Sequence, residues 1–184
     1  MRVFIGIPLP DQYQEMLGSI KKEWDGRFKS KLIWTKPGNW HLTVKFLGEV
    51  EQTRLPVLAE FMQEMTFDNF TLKGSGGGFF GLKGMYRVAW LGLGQDVHAL
   101  ISLADRIDED LSVLGFEKNV RPFKGHLTLA RIKNFHKNDP WNELTDYVSN
   151  LAWPAFKVDQ VNLWQSFLSQ TGPRYEILSR AVPV

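Results

Sequence analysis

The chain has 184 residues, 43% of them hydrophobic and 23% charged, with a formal net charge of +2, four histidines and no cysteine. That balance describes a globular chain long enough to bury a substantial core, and it excludes disordered, collagen-like and disulfide-stapled classes. No apolar run is long enough to span a membrane, and the stretch from Val3 to Ile7 is stopped too soon by Pro8 and Pro10 to read as a secretory signal, so a cytoplasmic location is expected.

Val3 to Ile7 reads as a first strand. Asp11 to Asp25 follows as a helix, with Tyr13, Met16, Leu17, Ile20 and Trp24 at helical spacing and Asp11 near its start. Ile33 and Trp34 lead through Pro37 and Gly38 into a strand that opens at His41. A helix from about Thr53 to Met65 directs Leu55, Leu58, Phe61, Met62 and Met65 to the core. Strands are then expected over 70–72 and 86–92, on either side of the run Gly74 to Gly81. That run has no Gly-Lys-Ser/Thr and no following helix, so it reads as a flexible strand edge or bulge, not as a phosphate-cradling P-loop. Asp96 to Leu114 is an amphipathic helix closed by Gly115. After a second strand opening at His126 come a short helix near Trp141 to Val148 and two strand-like runs, Phe156 to Phe167 and Tyr175 to Leu178. Gln170 to Arg174 reads as an ordinary hairpin turn in preference to the alternative, a cleft-rim loop where Arg174 or Tyr175 meets RNA. His98 and His136 read as structural or exposed.

Two of these strands carry the same wording, His41-Leu42-Thr43-Val44 and His126-Leu127-Thr128-Leu129. Alternation in a strand sets His41 and Thr43 on one face against Leu42 and Val44, and His126 and Thr128 against Leu127 and Leu129. An imidazole gives or takes a proton near neutrality, and a threonine hydroxyl is a small hydrogen-bond donor on a stiff stem. Two such strands facing a cleft supply a general acid and a general base around an anion. By parity Lys45 joins the histidine face as an electrostatic contributor. Phe46 and Arg131, each five residues beyond a histidine, fall on the opposite faces unless a bulge turns them; Phe46 is assigned to the core.

Charge follows the motifs. From Arg27 to Gly48 there are five basic residues and no acid, and from Lys118 to Lys137 six and no acid, so half of the 22 basic residues lie in these two windows. The remaining 11 face all 20 acids. Such a concentration suits a cleft that attracts phosphate. The motifs also lack the carboxylate or cysteine neighbours of common metal sites, so acid-base catalysis without metal or cofactor is expected.

These motifs resemble the two-histidine (2H) phosphoesterases and, within them, the RNA 2′,3′-cyclic phosphodiesterases, also called 2′-5′ RNA ligases. The resemblance runs over Met1 to Pro10, Trp40 to Glu49, Leu114 to Glu117, Arg121 to Arg131 and Gly172 to Leu178. Gly125 departs from it, since relatives often have proline there. The resemblance implies an α+β fold over 1–184, a single bilobal domain with two pseudo-symmetric lobes of antiparallel sheet, outer helices and a central cleft. It implies His41 as proton donor, His126 as proton acceptor, and Thr43, Thr128 and Arg131 as phosphate contacts. The implied reaction is hydrolysis of an RNA 2′,3′-cyclic phosphate to a 2′-phosphate, with 2′-5′ ligation as its reverse. A monomer with an RNA end or a cyclic nucleotide as partner is expected, and no membrane. Two other readings stand beside it: a phosphodiesterase for another cyclic phosphate or a 2′-5′ oligonucleotide, and a non-catalytic RNA-binding module with stacked aromatics.

Overall fold

A computed structural model describes residues 1–82, 84–169 and 172–184. Among these, nine strands and four α-helices follow the order β1 (Arg2–Pro8), α1 (Asp11–Trp24), β2 (Lys31–Trp34), β3 (His41–Glu49), α2 (Leu55–Glu64), β4 (Phe70–Leu82), β5 (Met85–Gln95), α3 (Val97–Val113), β6 (His126–Lys133), α4 (Trp141–Asn150), β7 (Ala155–Val158), β8 (Val161–Phe167) and β9 (Arg174–Ala181). The chain is thus α+β, and every strand pairing among the described residues is antiparallel.

The strands run in the order β7-β4-β5-β6-β3-β1-β8-β9, with β2 paired to β6. Two halves can be separated at the centre, because β6 and β3 share one registered pair, Leu42 opposite Leu127. One half is β3, β1, β8 and β9; the other is β6, β2, β5, β4 and β7. Strands held at a single pair splay on either side of it, and the motifs lie at that joint.

Each half has one face packed under helices. Leu42, Val44, Val3, Ile5, Ile7 and Leu163 are buried in one, and Leu127, Leu129, Ala130, Leu91 and Leu72 in the other. The amphipathic spacing of α1 buries Tyr13, Leu17, Ile20 and Trp24. Tyr13 also donates to the Pro154 carbonyl (2.7 Å) and accepts from the Gly74 amide (2.7 Å), so the helix after β1 is tied to β4 in the other half. Gly115, at φ +80°, ends α3 as its spacing predicts.

Two expectations change. The run Phe156 to Phe167 is not one strand: it breaks at Asp159 and Gln160, and its parts pair with different halves, β7 with β4 and β8 with β1. The glycine run does hold a bulge, between Gly74 and Gly77, but it is inside β4, between β5 and β7. A Cβ on Gly78 would stand 2.4 Å from the Trp90 ring, so glycine there makes room for an indole on the open face.

Candidate active site

His41 opens β3 and His126 opens β6, each one residue before a member of the Leu42 and Leu127 pair. Because those leucines are buried, the two histidines, Thr43 and Thr128 share the face without helices. An antiparallel register through the leucine pair sets His41 toward Thr128 and Thr43 toward His126.

Both rings are oriented in the same way. Nδ1 of His41 lies 2.8 Å from the Asn39 carbonyl, and Nδ1 of His126 lies 2.8 Å from the Lys124 carbonyl. A carbonyl only accepts, so Nδ1 carries the proton in both rings, and the proton to be exchanged belongs to Nε2. Asn39 is itself fixed: its amide nitrogen donates to the Pro173 carbonyl (2.7 Å) and its backbone N–H to the Lys36 carbonyl (3.0 Å).

The surroundings differ. His41 packs against Phe4 (4.8 Å between ring centroids), Tyr175 (5.0 Å, edge-on) and Trp164 (5.6 Å). Burial pushes its pKa down to about 4, against a smaller upward pull from the Asn39 carbonyl. His126 meets Phe80 edge-on at 4.8 Å. Its pKa is lowered first by burial, and further by the positive charges of Lys124 and Arg131, against an upward pull from the Lys124 carbonyl. The Lys124 ammonium lies over Trp90 (4.7 Å) and Phe80 (5.3 Å).

Strict alternation fails in both strands at the same place. Ile5 pairs with Lys45 and Gly6 with Thr43, leaving Val44 as an extra residue; Ala89 pairs with Ala130 and Trp90 with Thr128, leaving Leu129 as an extra residue. These bulges invert the pattern beyond them. Lys45 turns away from the histidine face, is 2% exposed, pairs with Asp108 and donates to the Glu117 carbonyl (2.7 Å). It is a structural cation, not the electrostatic contributor that parity suggests. Phe46, assigned to the core from the sequence, is 65% exposed on the open face. Arg131 likewise turns onto the face of His126 and Thr128. The bulge at Leu129 is supported by Thr35, whose N–H donates to the Leu129 carbonyl (2.9 Å) and whose hydroxyl donates to the Thr128 carbonyl (2.9 Å).

The chain matches the family described as LigT like Phosphoesterase over residues 7–90 and 93–175. It belongs to that family. A protein of Archaeoglobus fulgidus named RNA 2′,3′-cyclic phosphodiesterase is 34% identical over 97% of this chain and 98% of its own length. Among solved structures, a Thermus thermophilus protein superposes with a TM-score of 0.80 at 24% identity, covering 99% of this chain and 97% of that one. Escherichia coli LigT complexed with 3′-AMP gives 0.78 at 24% identity, covering 100% and 98%. Both structures share its fold.

In this LigT-like phosphoesterase, Tyr175 is a site neighbour beside His41, at the rim position that the alternative reading of the Gln170 to Arg174 stretch gives to Arg174 or Tyr175. It is the second residue of the last strand, touches both His41 and Phe4, and has its own pKa raised by burial against the lowering charge of Arg131. Its signal is the Gly-Pro-Arg-Tyr stretch, whose pattern reads as a plain turn. Arg174 pairs with Glu176 and lies over the Phe167 ring (4.6 Å); Gln170 and Thr171, also part of that expected turn, lie outside the described residues. His98, on α3, and His136, in the loop after β6, are both exposed. Among the described residues no three His, Asp or Glu side chains cluster as a metal would require, and no helix is long and apolar enough to cross a membrane.

Proposed function

We propose that this chain hydrolyses the 2′,3′-cyclic phosphate at an RNA 3′ end to a 2′-phosphate, with His41 as general acid and His126 as general base. The observation that carries the reading is the matched pair of rings, each with Nδ1–H spent on the carbonyl two residues earlier, on one open face beside two hydroxyls. The Archaeoglobus fulgidus relative bears the name of this activity, and Escherichia coli LigT takes 3′-AMP in its crystal.

In this mechanism Thr43 and Thr128 donate to the non-bridging phosphate oxygens. Nε2 of His126 removes a proton from water as its oxygen bonds to phosphorus, the bond to the 3′-oxygen breaks in line, and Nε2 of His41 delivers the proton that the 3′-oxygen needs. Turnover leaves His126 protonated and His41 neutral, and solvent resets both. Electrostatics favour this division of labour. His41 is depressed by burial without a cation beside it, so an arriving phosphate is free to raise its affinity for a proton. His126 keeps Lys124 and Arg131 nearby, which hold it neutral, as a base must be. Arg131 contributes a further phosphate contact. The reverse of the same step is 2′-5′ ligation.

The working unit is the whole bilobal chain, acting as a monomer in the cytoplasm, since each half supplies one histidine and one threonine. The test is incubation with a short RNA ending in 2′,3′-cyclic phosphate, with a chelator present. A 2′-phosphate product is expected; a 3′-phosphate overturns the roles of the two histidines, and loss of activity to the chelator overturns catalysis by protein groups alone.

A further inference from the structure

Beyond Arg131, two more cations extend along the same pair of strands and have no part in that reaction. In the pairing of β2 with β6, Lys31 stands opposite Lys133 and Ile33 opposite Arg131. The bulge at Leu129 sets Arg131 and Lys133 on the face of His126 and Thr128, and all of Lys31, Ile33, Arg131 and Lys133 are exposed. Like charges directly opposite in a sheet repel. Among the described residues neither Lys31, Lys133 nor Arg131 makes an ion pair, whereas Arg2, Arg27, Lys118 and Arg174 are each held by a glutamate. An unfavourable, unneutralised row on the face of a phosphate site fits a polyanion that arrives from outside.

The row also has a direction. Five residues separate Thr128 from Lys133, about 17 Å of strand, so the cations lead away from the joint toward the outer end of β6. Beside His41 in the other half the same face carries Phe4, Trp164 and Tyr175, and its Arg2 is committed to Glu49. We propose that Lys31 and Lys133, continuing from Arg131, form a track for the phosphates upstream of the reacting end, so that an RNA strand lies with its 5′ portion over β2 and β6. This rests on the RNA-end reading and extends it: the preferred substrate is an oligonucleotide, not a cyclic mononucleotide.

The test compares kcat/KM on a cyclic mononucleotide and on a cyclic-phosphate-ended hexanucleotide, in the wild type and in a Lys31→Gln/Lys133→Gln double variant, across salt concentrations. The wild type is expected to prefer the hexamer at low salt. The double variant is expected to lose about tenfold on the hexamer and little on the mononucleotide, and the slope of log affinity against log salt should shrink by about 1.4, or about 0.7 for each lost phosphate contact on a single strand. Lys133→Glu should raise the melting temperature, by giving Lys31 a partner, while weakening hexamer binding; a purely structural row would change stability alone. Equal salt slopes in wild type and double variant, or no length preference in the wild type, overturn the track. If neither substrate turns over, the reaction reading fails by itself, and the salt slope of hexamer binding, read by fluorescence anisotropy, still decides the track.

Discussion

His41 and His126 make the same hydrogen bond from the same place in the same kind of strand, yet their rings meet different neighbours. One is packed against Phe4, Trp164 and Tyr175; the other stands with Lys124 and Arg131. Backbone symmetry thus supplies two equivalent nitrogens, and the side chains around them make the nitrogens unequal. A desolvated imidazole responds strongly to an arriving anion, while one with fixed cations nearby is buffered against it. In the proposed mechanism, it is this difference in surroundings that divides a duplicated motif into an acid and a base.

The harshest way to break that comparison is to remove either ring. His41→Ala and His126→Ala are each expected to lower kcat by about 10³-fold, within the span of general acid-base contributions; a variant retaining most of its turnover would end the assigned role of that ring. Next in size is acid stability. His41 binds its proton in the unfolded chain with a pKa near 6.5 and in the folded chain with a pKa of about 4. The unfolded state therefore holds more protons between those values, so stability is fully present above 6.5 and lost as pH falls toward 4, by up to about 3 kcal/mol. Denaturant unfolding across that window should show the loss, and His41→Asn should flatten it.

The comparison is sharpened by direct titration. In the phosphate-free protein the His41 ring protons should follow a pKa well below 6.5 by NMR, and adding phosphate should raise it. The kcat/KM profile, which reads the free protein, should accordingly peak at a lower pH than the kcat profile. A His41 that titrates near 6.5 in the empty protein would remove the contrast. The smallest effect belongs to Arg131→Ala, which should raise the pKa of His126 and leave that of His41 nearly where it was.

Residue pattern makes much of this legible. The periodicities of α1, α2 and α3, the paired motif and the basic windows all concern local sequence, and local sequence carries them. Bulges do not announce themselves in that way. Val44 and Leu129 are ordinary strand residues, and they are extra only in relation to β1 and β5, partners dozens of residues away. Lys45 and Phe46 are consequently exchanged between faces, while Arg131 reaches the site by the route that alternation forbids. Local pattern offers Tyr175 only as an alternative rim contact, since its place beside His41 depends on β8 and β9 joining β1 from the far end of the chain.

That last pairing has a consequence for how the chain is made. β1 is flanked by β3 and by β8, so the half built around His41 is finished only when the stretch from Val161 to Ala181 is added, after the whole of the other half has been synthesised. The half around His126 is interleaved in the same way, because its β2 precedes β3. Neither half is a contiguous stretch of the chain. Closing loops of this length is slow, and until the last strands emerge β1 waits with an unpaired edge. The aromatic wall of His41 is therefore completed last, because Trp164 and Tyr175 arrive only with β8 and β9.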